Sequence, residues 1–131
     1  YAIAAAEGFL VAGTGNKVED YGIGFFTKYG DGGVDVSPIG DLMKSEVYTL
    51  CNFLRVPQSI QNAVPTDGLW GDDRSDEDQI GASYDELEFG FLCDNLTQRQ
   101  LEVLTIYEKR HNNTKHKMML PPVCLLPKEI K

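Results

Sequence analysis

Apolar and polar positions change period several times along the chain, and each change marks an element. Tyr1 to Glu7, alanine-rich around Ile3, reads as the end of a helix stopped by Gly8. Phe9 to Ala12 is a short continuous apolar run suited to a buried strand. Gly13-Thr14-Gly15-Asn16 breaks that strand at its C-terminal end, the edge at which open α/β sheets bind ligands. Lys17 to Ile23 predicts a short helix carrying Glu19 and Asp20, after which Gly22 and Gly24 loosen the chain before Phe25-Phe26. Tyr29-Gly30-Asp31-Gly32-Gly33 is a turn by composition.

The second half is mostly helical in pattern. Asp41 is placed to cap a helix running through Leu54, with Leu42, Met43, Val47, Leu50, Cys51 and Leu54 on one broad apolar face and Pro57 blocking continuation. From Pro65 to Asp78 the chain is polar, acidic and glycine-bearing, with Trp70 inside it; such a stretch predicts a mobile loop that orders on a ligand. Ser75 to Asp78 is a weak capping box, while Ser83-Tyr84-Asp85-Glu86 and Thr97-Gln98-Arg99-Gln100 fit the reciprocal pattern and predict helices of about ten residues or more. In the last helix Leu101, Val103, Leu104 and Tyr107 form the inward side, a basic stretch from Arg110 to Lys117 follows, and Pro121-Pro122 ends regular structure.

Composition narrows the class. A chain of 131 residues with 42% hydrophobic content suits one domain with a core. No apolar run reaches the length of a membrane span, so a soluble, cytoplasmic protein is expected, with no membrane partner. Cys51, Cys93 and Cys124 are odd in number and contain no CxxC pair, which favours reduced thiols over disulfides or structural zinc. The net charge of −8 is local: Asp67 to Glu88 holds nine acids against Arg74, and the remainder balances eleven acids with eleven bases. A basic pocket elsewhere is therefore allowed, but nothing forms the extended basic face that nucleic acid demands. The chain opens on Tyr1 inside a helical pattern with no cap ahead of it, and reads as a piece of a longer polypeptide.

Chemistry concentrates between Gly13 and Lys44. Hydroxyl, carboxylate, ammonium and glycine alternate there, a poor mixture for a core and a good one for phosphates and a divalent metal. Lys44 falls in a first helical turn, where the dipole gives a cation no benefit, so it is either an ordinary surface lysine or aimed at something. Gly32 to Ser37 faintly echoes the SGGxDS phosphate loop, but one residue too many separates Asp35 from Ser37.

Taken together, Gly13-Thr14-Gly15-Asn16-Lys17, Gly24-Phe25-Phe26-Thr27-Lys28-Tyr29-Gly30-Asp31-Gly32-Gly33, Asp35 with Pro38, Lys44, Pro65-Thr66, Asp76-Glu77, Gly81 to Asp85 and His116-Lys117 are specific. The chain resembles the C-terminal part of ammonia-dependent NAD synthetases, a family of N-type ATP pyrophosphatases. That resemblance implies the C-terminal portion of a doubly wound, mostly parallel α/β sheet flanked by helices, adenine nucleotide alpha-hydrolase-like, as a single-domain fragment over residues 1–131. It also implies a homodimer, Mg2+, ATP as co-substrate, and ATP-dependent amidation of deamido-NAD with ammonia through an adenylated intermediate.

By the same resemblance Thr14, Lys44 and Thr66 contact ATP, and Glu19 binds the metal. The span from Glu19 to Lys28 is one residue longer than in many members, which makes Asp20 the alternative metal ligand. Lys28, Asp35, His116 and Lys117 contact deamido-NAD, and Lys28 and Asp31 are the catalytic candidates. Read without the resemblance, His116-Lys117 is a solvated basic tail and Asp76-Glu77 solvated acidic surface. The SGGxDS loop has no counterpart in these residues, so the chain alone is expected to be inactive. Two alternatives stay open: another ATP-pyrophosphatase ligase, and a catalytically dead nucleotide-binding or dimerisation module.

Overall fold

Local capping chemistry sets most helix boundaries in the computed structural model, which describes residues 1–68, 71, 74–89 and 96–127. Helix α1 (Ala2–Glu7) ends where Gly8 turns left-handed at φ 70°. Asn16, only 2% exposed, accepts from the N–H groups of Val18 and Glu19 and so starts a π-helix over Lys17–Ile23. A π turn takes up one residue more than an α turn, and this one carries Glu19 and Asp20 in its first turn. Gly24, at φ 62°, closes it; a Cβ there would run into the Thr114 side chain.

The three capping boxes all form. Ser75 starts α4 (Asp76–Ile80), Ser83 starts α5 (Tyr84–Phe89) and Thr97 starts α6 (Gln98–Thr114), each with the reciprocal bond from its third residue. Asp41 does not cap. Helix α2 (Lys44–Phe53) begins after Met43, whose N–H donates to Glu46. Asp41 instead pairs with Lys17 at 2.9 Å. Pro57 ends this region as expected and precedes the one-turn helix α3 (Gln58–Gln61).

No strand lies among the described residues; the expected strand at Phe9 to Ala12 is represented by one parallel bridge between Ala12 and Val36. The reason is chemical. Val11 donates its N–H to the Asp35 carboxylate at 2.9 Å, so a side chain takes the place of a ladder carbonyl. Phe9 and Leu10 are 70% and 73% exposed rather than buried.

The core sits where the π-helix, α4, α5 and α6 meet. Val18, Ile23, Ile80, Ala82, Tyr84, Leu87 and Val103 are its buried members, with Phe25, Met43, Ile106 and Tyr107 packed against them. Helix α6 thus turns Val103, Ile106 and Tyr107 inward, whereas Leu101 is exposed, which corrects the inward face read from its pattern. The broad apolar face read for α2 is only partly covered: Met43 packs against the core, Leu42, Val47 and Cys51 are half-buried, and Leu50 and Leu54 are exposed. Of the expected mobile loop, Leu69, Trp70, Asp72 and Asp73 lie outside the described residues, as does Cys93. No described helix is long and apolar enough to cross a membrane.

Candidate functional site

The π-helix and the first turn of α2 face each other across a cavity of about 310 Å3. Thr14, Gly15, Glu19, Asp31, Lys44 and Thr66 line it, which brings together both ends of the chemistry-rich segment. A Cβ at Gly15 would collide with the Asp20 carboxylate, so glycine is what lets the two segments approach. Lys44 Nζ donates to Glu19 Oε1 at 2.8 Å, and both side chains are largely buried. Its position in the first turn of α2 is therefore explained by the carboxylate it serves rather than by the helix.

Behind Glu19 stands Tyr84, whose hydroxyl donates to the same Oε1 at 2.5 Å. Lys44 Nζ lies 4.6 Å from the centre of the Tyr84 ring. Burial, and then the bond to Glu19, push the Tyr84 hydroxyl well above its ordinary pKa, so it stays a donor. Asp76, 9% exposed, places Oδ2 3.4 Å from the same hydroxyl, and its buried Oδ1 has no hydrogen-bond partner among the described residues. Burial and the Glu19 charge raise its carboxyl pKa.

A second cavity of about 790 Å3 lies on the other side of Asp20 and is lined by Lys28, Tyr29, Asp35, Lys117 and Met118, among others. Asp20 borders both cavities. Burial first, then the charges of Glu19 and Asp31, lift its carboxyl from 3.8 to about 6, against the opposing Lys117. Lys117 is not a solvated tail: Nζ donates to Gly24 O at 2.6 Å and to Phe26 O at 2.5 Å, and burial lowers its pKa. Lys28 donates to the carbonyls of His116 and Met119 at 2.8 and 2.7 Å, tying the segment after α6 over the second cavity.

The sequence-predicted residues thus divide into two groups. Thr14, Glu19, Lys44 and Thr66 share the first cavity; Lys28, Asp35 and Lys117 share the second. Asp31 borders the first while its Oδ1 accepts from Thr27 N–H at 2.8 Å. His116 lines none of the described cavities; its exposed ring reaches the Asn113 carbonyl. Tyr84 and Asp76 were not singled out as site residues. Asp76 stands in an acidic run, yet Ser75 caps the helix that it opens, and Ile80, four residues on, shares its inward face. That spacing was the available signal.

For magnesium the fit is partial and chemically ordinary. Among the described residues no three His, Cys, Asp or Glu side chains are grouped to cage an ion. Glu19 and Asp20 nevertheless present two carboxylates at one cavity, and magnesium is usually held by one or two carboxylates plus substrate phosphates.

Solved structures share the backbone: NMN synthetase from Francisella tularensis superposes with a TM-score of 0.81 at 36% identity, covering 98% of this chain and 50% of that one. An NH3-dependent NAD synthetase from Campylobacter jejuni, solved with nitrate, shares the fold at a TM-score of 0.69, covering 95% of this chain and 49% of that one at 24% identity. The sequence profile of NAD synthase matches residues 1–121, and the chain belongs to the NAD synthase family. The NH(3)-dependent NAD(+) synthetase of Syntrophomonas wolfei is 41% identical over 131 residues, all of this chain and 51% of that protein. That of Archaeoglobus fulgidus is 45% identical over 116 residues, 88% of this chain and 46% of that protein. The chain spans about half the length of the curated relatives that it matches.

Proposed function

We propose that the polypeptide carrying this chain joins ammonia to the nicotinate carboxylate of deamido-NAD at the expense of ATP. The observation that carries this reading is the pair of cavities meeting at Asp20, one with the Thr14, Lys44 and Thr66 set and the other with Lys28, Asp35 and Lys117. ATP takes the first cavity, its phosphates toward Lys44, and deamido-NAD takes the second. The carboxylate oxygen attacks the α-phosphorus and the bond to the β-phosphate oxygen breaks, releasing pyrophosphate. Ammonia then attacks the acyl carbon, AMP leaves with the original carboxylate oxygen, and the nitrogen loses a proton to give the amide. A carboxylate alone is a poor acyl donor, and adenylation supplies the leaving group. Lys44 is the chain's own cation for the phosphates, Glu19 and Asp20 would hold Mg2+, and the metal would neutralise charge developing on the phosphate oxygens.

Asp31 borders the first cavity and stands near the charge of Asp20, where it could orient the incoming nitrogen. Lys28 acts through the segment that it ties down as well as through charge. The residues here contain no SGGxDS string, so the 131-residue chain alone should not turn over. The parallel bridge at Ala12 would be one edge of the doubly wound sheet implied by the resemblance, in a cytoplasmic homodimer.

The likeness to the Francisella NMN synthetase favours a second reading, in which the acid is the mononucleotide rather than the dinucleotide. Competing deamido-NAD against nicotinate mononucleotide, with ATP, Mg2+ and ammonia held constant, decides between them. NAD as the dominant product supports the main reading, dominant NMN supports the second, and neither product overturns both.

A further inference from the structure

A phenol has one proton to donate, and Tyr84 has two carboxylates within reach. Glu19 takes it at 2.5 Å, while Asp76 stands at 3.4 Å, so the bond belongs to Glu19. Glu19 Oε1 therefore has two donors, Tyr84 and Lys44. These donors differ in freedom. Lys44 is a flexible ammonium, whereas Tyr84 is 5% exposed, packed in the core and anchored by its own N–H to Glu77 Oε1 at 2.8 Å.

The difference matters once a nucleotide arrives, and this step rests on the ATP reading given above. Lys44 must turn from Glu19 to reach a phosphate, and the face of the Tyr84 ring, 4.6 Å from Nζ, gives the ammonium a seat from which to turn. Glu19 then keeps only the Tyr84 hydroxyl of the two. We propose that Tyr84 is a positioning residue of the nucleotide site, holding Glu19 in register for a divalent cation while Lys44 passes to the phosphates. It does not line the cavity, so it acts through Glu19 and Lys44 rather than on the substrate.

Tyr84→Phe keeps the ring, the core packing and the lysine seat, and removes the one bond in question. In the full-length enzyme, Mn2+ binding in the presence of ATP is followed by electron paramagnetic resonance, beside kcat, KM for Mg-ATP and the melting temperature. A lost bond to a charged group predicts an approximately tenfold weaker Mn2+ affinity and a similar rise in KM, with kcat changed far less. Where Glu19 is already Gln, Tyr84→Phe should produce little further loss of Mn2+ binding. Wild-type Mn2+ affinity in Tyr84→Phe would overturn the proposal, as would equal losses with and without the Glu19 carboxylate. Amide formation is scored separately. A wild-type enzyme that makes no amide, yet loses Mn2+ binding on Tyr84→Phe, refutes the ligase reading and leaves the positioning role standing.

Discussion

Replacing Lys44 by Met tests whether the Glu19–Lys44 pair is an integral part of the fold around the site. The two side chains are 19% and 15% exposed and their charged atoms 2.8 Å apart, much closer to a buried pair than to a surface one. Removing one partner of a fully buried pair costs roughly 3–5 kcal/mol, because a charge is left without its counter-ion. Residual exposure and the Tyr84 bond to Glu19 reduce that, so Lys44→Met should destabilise by about 2 kcal/mol. The penalty comes from the stranded carboxylate, so Glu19→Gln added to Lys44→Met should recover about 1 kcal/mol. Urea denaturation of the four forms in the full-length protein at constant pH and salt measures the cycle. Strictly additive losses, or a single variant as stable as wild type, would refute the reasoning.

Further outcomes follow from other contacts. Asp20 has a folded pKa of about 6, above its ordinary 3.8, so the native state holds this proton more tightly and the group loses stability for the fold as pH rises through that window. Discounted for partial exposure, Asp20→Asn should raise stability at pH 7 by about 1 kcal/mol and leave it almost unchanged at pH 3.5, in denaturant titrations. Glu86 shows the opposite sign: the Arg99 bonds lower its carboxyl from 4.5 to about 2, so the stabilisation is full above 4.5 and fades as pH falls toward 2. Arg99→Met should therefore lower the melting temperature slightly at pH 7 and hardly at all at pH 2, by thermal unfolding. Gly24→Ala, at φ 62° and against Thr114, should cost at least about 2 kcal/mol by the same measurement. Leu87→Ala, at 1% exposure, should cost about 3 kcal/mol.

What was legible in the sequence was whatever local chemistry decides. Ser75, Ser83 and Thr97 mark helix starts because their oxygens meet N–H groups three residues on, and no distant partner is needed. Gly8 is equally local. Where a distant group competes, local reading failed: Asp41 is taken by Lys17, so α2 starts later than its sequence suggests. Val11 gives its N–H to Asp35, which no strand pattern reveals. A short helix over Lys17–Ile23 was legible in the sequence but its π geometry was not, and in that helix Glu19 meets Lys44 while Asp20 borders both cavities. Asp76 and Tyr84 were missed because burial, not residue type, separates them from the solvated acids and aromatics around them.

The proposed adenylation would leave an isotopic trace. With both oxygens of the nicotinate carboxylate of deamido-NAD labelled with 18O, and with ATP, Mg2+ and ammonia supplied, attack of that carboxylate on the α-phosphorus requires one labelled oxygen to leave in AMP. Mass spectrometry of the nucleotide made by the full-length enzyme should show AMP carrying one 18O for each NAD formed. Unlabelled AMP, or ADP and phosphate in its place, would contradict adenylation at this site.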